Sequence, residues 1–381
     1  MTKRTFRSAL VVGAFVMGML PTIGMAEITT HIGIRDRAEN TIKGNIQADP
    51  SNGNYRAAQR TEVSVTGYYE NVKSHVTFQE NRNWSNGGQL RIYEAYTEFG
   101  DDWYWRVGRQ EFKMDEGRIL GNKQWLNGLT HDGLLLGYKG KGQYHIEILG
   151  VREQDKDWIV FHPTTEMAGV QLALPILYES NAAHSHGEGE TISYTTGLFA
   201  KVAGDFNWRL ETYAQQTVTR SEGGEELIQS GFLFSAQAGY KIAEGVEPVF
   251  NLDFTTAATN KNALEFSQPY ANAHQYNGNM GVDLTSDGGG LIAASLKNST
   301  NCGEGVFILA LHYFMLADAK AAGVEKASLG YEVDLEYSVR LSDSLQLYIG
   351  ESLFLDQGSR APSGKNITLH DWTYVQLSLD L

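Results

Sequence analysis

Residues 328–342 read SLGYEVDLEYSVRLS. Leu329, Tyr331, Val333, Leu335, Tyr337, Val339 and Leu341 occupy every second position. Gly330, Glu332, Asp334, Glu336, Ser338 and Arg340 fill the positions between. A helix would scatter these two sets around its circumference, whereas a strand sends them to opposite faces. Apolar residues on one face and charge on the other make a strand that separates two unlike solvents. The segment 344–356 repeats the alternation after an Asp-Ser turn, broken once by Glu351. The chain end alternates Val375, Leu377, Leu379 and Leu381 with Tyr374, Gln376, Ser378 and Asp380. Upstream, Val63 and Val65, Trp103, Trp105 and Val107, Trp208 and Leu210, and Phe232, Phe234, Ala236, Ala238 and Tyr240 keep the same period.

Two architectures suit such strands. In a sandwich the apolar face is the core; in an outer-membrane barrel it meets lipid and the polar face lines a wet lumen. Beyond the N-terminus, the longest apolar run is VFILALHYFMLA at 306–317, with His312 in its middle. As a helix it would reach only about 18 Å, whereas a tilted strand of roughly 9–11 residues crosses a bilayer. The N-terminus carries Lys3, Arg4 and Arg7, an apolar run from Ala9 to Leu20 and Gly24-Met25-Ala26. That is the layout of a secretory signal peptide over residues 1–26, cleaved after Ala26. Short links near 71–73, 100–102, 140–142, 204–205, 244–247 and 342–344 alternate with longer polar segments at 40–57, 111–130, 181–190, 217–228, 259–280, 317–327 and 357–370. Short inner turns and long outer loops are the asymmetry of membrane barrels. The expected fold is therefore all-β, a transmembrane antiparallel up-and-down barrel over 27–381. It has about eighteen strands, with about sixteen as the alternative. Residues 152–180 must hold two of them, near Trp158–Pro163 and Gly169–Tyr178. The expected location is the outer membrane of a Gram-negative-type bacterium, with the lipid bilayer as the first partner.

Formal net charge is −14, and losing the leader's basic residues makes the remainder more acidic still. Such a chain has no electrostatic footprint for nucleic acid. Its single cysteine, Cys302, allows no intrachain disulfide.

A dense motif stands apart from the alternation: VGRQEFKMDEGRILGN at 107–122. With the following THDGLLLGYKG, it resembles the signature of the alginate export family of outer-membrane barrels. AQRTEVSVTGYYE, YEAYTEF, FSQPYANAHQYNG and the pair of strands at 330–350 resemble that family in the same order. The resemblance implies a monomeric eighteen-strand passive conduit, with an arginine-rich lumen for an anionic uronate saccharide and a periplasmic machinery that delivers it. It further implies that Val107 ends the lipid-facing row and Gly108 lets the backbone turn. Arg109, Lys113 and Arg118 become constriction residues facing the solute, held by salt bridges from Asp115 and Glu116. The same cluster could equally pin a loop to the barrel wall, and both readings stay open. The lumen-facing bases expected elsewhere are Arg35, Arg37, Arg60, Arg106, Arg209 and Arg340. Glu39, Glu62, Glu94, Glu98, Glu211, Glu332, Asp334 and Glu336 share those faces, a mixed balance that also suits a general porin or a plugged adhesive barrel.

Other chemistry finds little support. HSHGEGE places His184, His186, Glu188 and Glu190 at alternate positions, a weak metal candidate on a glycine-rich loop. No metal or other cofactor is expected. An enzyme needs a nucleophile with histidine in reach; His75, His131 and His312 are present, without a nucleophile-elbow motif or a serine that strand register pairs with them.

Overall fold

The computed structural model describes residues 27–42, 53–85, 87–122, 128–140, 144–153, 156–181, 190–221, 225–260, 262–268, 276–280, 288–357 and 368–381. The proposed signal peptide, His184, His186 and Glu188 lie outside them. The strands are β1 (Glu27–Ile42), β2 (Gly53–Tyr69), β3 (Val72–Asn83), β4 (Gly87–Gly100), β5 (Trp103–Gln110), β6 (His131–Lys139), β7 (Tyr144–Glu153), β8 (Lys156–Met167), β9 (Val170–Ala173), β10 (Ile176–Asn181), β11 (Glu190–Val202), β12 (Phe206–Arg220), β13 (Glu226–Tyr240), β14 (Glu247–Thr255), β15 (Leu291–Cys302), β16 (Gly305–Leu316), β17 (Ser328–Arg340), β18 (Leu345–Asp356) and β19 (Thr368–Asp380).

Apart from β9 and β10, which do not pair with each other, every strand lies antiparallel to its sequence neighbours around the wall, and β19 pairs with β1 from Gly33↔Asp380 to Ile42↔Asp371. Ile32 and Leu381 exchange backbone hydrogen bonds of 2.9 Å at that seam. Closure removes both sheet edges, which hydrocarbon would leave without hydrogen-bond partners. β9 and β10 are two halves of one stave, so the nineteen segments make an eighteen-stave barrel. Both halves face β8 in one continuous register, Met167↔Val170 through Lys156↔Asn181. They part at Leu174 and Pro175, because proline has no N–H to give the ladder. The two strands expected between 152 and 180 are thus β8 and the β9–β10 stave.

The outward rows are apolar and exposed, as at Ile28, Trp105, Val107, Leu134, Ile148, Ile159, Phe250, Leu311, Tyr331, Ile349, Val375 and Leu377. In water so continuous a belt would drive aggregation; in lipid it is the surface that holds the barrel in place. Tyr68, Tyr69, Phe99, Trp103, Tyr144, Phe206 and Tyr240 are exposed beside the short turns and form an aromatic girdle at that end. Two connections at the long-loop end are short: β3 meets β4 after 84–86, and β7 meets β8 after 154–155.

Gly108 requires a correction. The backbone does not turn there; β5 continues to Gln110, with Gly108 opposite both Tyr96 and Gly133. Its φ is +122°, and a Cβ would stand 2.2 Å from the Ala95 carbonyl oxygen. Only glycine takes that close approach without strain. The extra two residues keep the alternation running and carry Arg109 to the outward face.

Candidate functional site

Residues 111–122, between β5 and β6, fold into the barrel rather than away from it. Asp115 (φ +51°) and Gly117 (φ +81°) reverse the chain, and Met114 N–H donates to the Leu120 carbonyl at 2.9 Å. The turn aims Phe112, Met114, Ile119 and Leu120 at the wall, where they pack against Leu135, Leu149, Val151, Trp158, Val160, Leu177, Tyr213 and Leu233. Burying such side chains stabilises the fold by about 1.5–3 kcal/mol each. The barrel therefore has a dry inner wall from β6 to β10, covered by this loop.

The charges of the motif latch the loop at its far side. Arg118 is buried; its Nη2 lies 2.8 Å from Asp253 Oδ1 on β14 and donates to Ser235 Oγ on β13 at 2.9 Å. Its Nε is 3.5 Å from Glu211 Oε2 on β12, and the guanidinium stacks 3.7 Å from the Tyr276 ring. Burial alone would lower the Arg118 pKa, but Asp253 and Glu211 outweigh it and raise it. Asp115 accepts from the Tyr213 hydroxyl at 3.3 Å and lies 2.9 Å from His162 Nε2. Glu116 receives Lys201 Nζ at 2.6 Å, with Lys113 at 3.7 Å. Burial would raise the Glu116 carboxyl, yet Lys201 and then Lys113 hold it below the ordinary carboxylate value. Burial pushes Glu111 up, although Tyr93 and Asn122 both donate to it.

Two residues expected to face solute do not. Arg109 lies on the same outward row as Trp105 and Val107, and it grips Asp132 through Nε and Nη2 at 2.8 and 2.6 Å. Arg118 is enclosed by its partners and presents no open guanidinium. The loop carboxylates also hold other groups than expected: Asp115 meets His162 and Tyr213, not an arginine, while Glu116 does hold Lys113.

A second segment enters the lumen from the β14–β15 connection. The Tyr276 hydroxyl donates to the Glu116 carbonyl at 2.6 Å, joining the two inward segments. The Asn279 and Met280 N–H groups donate to Asp334 and Glu332 on β17 at 3.3 and 3.0 Å. Burial raises the Tyr276 pKa.

The remaining wall is mostly polar and carries both signs, apart from a second dry cluster on β15–β18, where Ala293, Phe314, Leu316, Leu329 and Phe354 are covered by Met280, Ala319, Ala322 and Val324. On one side, β1, β2, β4 and β5 turn Arg35, Arg37, Arg60, Arg91 and Arg106 inward. Arg35 stands directly opposite Arg60 across the β1–β2 ladder. Arg37 donates to Gln376 at 3.0 Å and lies 4.2 Å from the Tyr374 ring; Arg60 pairs with Glu62 and lies 5.5 Å from Tyr93. Arg91, absent from the sequence-derived set, donates to Gln79 at 2.6 Å and stacks 5.4 Å from the same Tyr93. It was missed because the bulge at Thr77/Phe78 breaks the alternation beside it. Arg106 binds Glu98 through Nε and Nη2. On the other side, β14 and β17 turn Glu247, Asp253, Glu332, Asp334 and Glu336 inward. Arg209 shares Glu211 with Arg118 at 2.9 Å, and Arg340 sits exposed at the short-turn end of β17.

The three histidines considered for catalysis have other surroundings. His75 bonds Thr66 and Thr77, and His131 packs edge-on against Trp158. His312 lies 3.1 Å from Asp334, and register does place a serine, Ser295, directly opposite it. Among the described residues no hydrogen bond joins that serine to the ring, so no nucleophile relay is formed.

An eighteen-stave closed barrel with a lipid-facing belt, a polar lumen and inward-folded loops defines an outer-membrane porin-type channel fold. No family model matches the chain, and no curated protein matches it. Solved structures do resemble it. OccK11 (OpdR) of Pseudomonas aeruginosa superposes with a TM-score of 0.65 at 11% identity, over 93% of this chain and 96% of that one. OpdQ of the same organism gives 0.67 at 9% identity, over 94% and 99%. OpdK, crystallised with vanillate, gives 0.64 at 9% identity, over 92% and 98%. These similarities establish the fold, and the exposed apolar belt is what sets it in a membrane.

Proposed function

We propose that this protein is a passive diffusion channel for small anionic solutes bearing carboxylates, with uronate-type, alginate-like oligosaccharides as the first candidates. The observation that carries the reading is the inward arginine row, above all Arg35 directly opposite Arg60. Like charges paired across a ladder cost stability, and a wall that tolerates the cost gains a place where a carboxylate is welcome. Arg37, Arg60 and Arg91 lie against Tyr374 and Tyr93, which hold the planar guanidiniums in place beside the bonds they make to Gln376, Glu62 and Gln79. Several modest anion sites in series suit conduction better than one tight site, since a solute must leave as readily as it enters. The carboxylate of vanillate, present in the OpdK structure, fits the same chemistry.

The barrel has no energy source, so concentration or a periplasmic delivery machinery sets the direction of flux. The chain works as a monomer and loses residues 1–26 on export. Planar-bilayer recording in a salt gradient, with an oligouronate or a neutral oligosaccharide of equal length added, tests the proposal. Anion selectivity with block by the oligouronate alone is the expected result. A steady current with neither property makes the protein a general porin, and no current from folded protein removes the channel altogether.

A further inference from the structure

The acid-walled side of the lumen contains a cavity of about 350 Å³ that the carboxylate path does not use. It opens below the second inward segment, between β12 and β17. Its lining is polar and carries both signs: Lys297, Arg209 and Glu247 on one side, His312, Asp334 and Glu336 on the other, with Asn251 and Asn279 between.

Strand register fixes the arrangement. Lys297 lies directly opposite Ala310, and Ala310 directly opposite Asp334, so the three form one row across β15, β16 and β17. The alanine methyl leaves a notch between the ammonium and the carboxylate. Two strand spacings place their backbones about 10 Å apart. No ion pair joins them, and among the described residues Lys297 has no hydrogen-bond or ion-pair partner. Glu336, one step along the same face of β17, accepts from the Tyr374 hydroxyl through Oε2 only. Arg209 is already committed to Glu211, which leaves Lys297 as the cation available to a guest.

We propose that this notch is a subsite for small zwitterions of the α-amino-acid type. The solute carboxylate sits on Lys297 and its ammonium on Glu336, beside Asp334, which His312 and the Asn279 N–H already hold. Because the two charges do not bond each other, a solute carrying both an ammonium and a carboxylate can make one charge-assisted contact of about 2.8 Å to each side of the notch. The solute side chain then projects over Ala310 toward the lumen axis. A monocarboxylate meets the acids unshielded there, and an amine meets Lys297, so each analogue lacking one charge is disfavoured by the group it fails to satisfy. This inference rests on the channel reading and narrows the solutes that pass on this side of the pore.

The full chain in liposomes, loaded for counterflow, separates the possibilities with three probes of one size: leucine, 4-methylpentanoate and isopentylamine. Leucine is expected to enter fastest, and Lys297→Met is expected to slow it roughly tenfold while the amine is unaffected or faster. Lys297→Arg restores leucine entry. Leucine no faster than both analogues, or equal slowing of all three probes by Lys297→Met, overturns the subsite while potassium chloride conductance leaves the channel standing. Absence of that conductance overturns both.

Discussion

The inner wall from β6 to β10 and the inner wall from β15 through β19 to β5 belong to one barrel in one membrane, yet they are built oppositely. On β6 to β8 both faces are apolar: Leu134 outward and Leu135 inward, Ile148 and Leu149, Ile159 and Val160. On β17, Leu335 faces lipid while Glu336 beside it faces the lumen. The difference lies in what covers the inner face: the folded loop 111–122 along the whole of one wall, and on the other mostly water beyond the small patch that Met280, Ala319, Ala322 and Val324 cover. Alternation along a strand therefore reports the contrast between its two solvents, not the strand itself. Where the contrast vanishes, so does the pattern.

Replacing Arg118 by methionine should break this distinction most severely. Asp253 would be left buried without its cation and Glu211 with Arg209 alone, at a cost of about 3–5 kcal/mol. The loop should leave β12–β14, the dry wall should flood, and single-channel current should become larger and noisier. Unchanged conductance would show that the apolar face alone holds the loop. Next in size, Leu149→Ala inside the dry wall should cost about 2–5 kcal/mol, measured by denaturant unfolding in liposomes. Ile349→Ala on the lipid face should cost less, because fluid acyl chains fill the space that a packed interior cannot. Equal losses would erase the difference between the two walls.

Acid should loosen the same loop more gently. The Glu116 carboxyl sits below its ordinary value, so its contribution to docking is complete above about pH 4.3, the ordinary glutamate value. That contribution disappears as the pH falls through the depressed value. Conductance noise should rise in that acid window, and Glu116→Gln should show the acid behaviour already at neutral pH. A variant that keeps the wild-type pH profile would remove Glu116 from the latch. The smallest effects concern selectivity. Arg60→Gln should shift the reversal potential in a salt gradient toward cations, whereas Arg109→Gln should leave it unmoved. A comparable shift from Arg109 would contradict its outward placement.

Much of the barrel was legible beforehand. The outward rows on β12, β13 and β19, and on β17 from Tyr331 onward, are the ones alternation marked, and of the two expected stave counts eighteen is the one found. The motif at 107–122 was legible as a special loop, but the roles within it were not. Arg109 and Arg118 look alike in sequence, yet Gly108 keeps β5 extended and delivers the first to the lipid side. The second is fixed by Glu211, Ser235 and Asp253, each roughly a hundred residues or more away along the chain. Arg91 escaped notice for the related reason that one bulge residue reverses the facing of all that follows.

The sequence by itself determined the solvents: period two, the aromatic girdle and the scarcity of long apolar runs leave a chain that can bury its backbone polar groups in a membrane only by closing a barrel. The tertiary structure alone decided which inner faces are wet. Facing along a strand is a local property, set by the pleat. What lies opposite that face across the lumen depends on a loop whose partners are distant in sequence, and no local pattern encodes it.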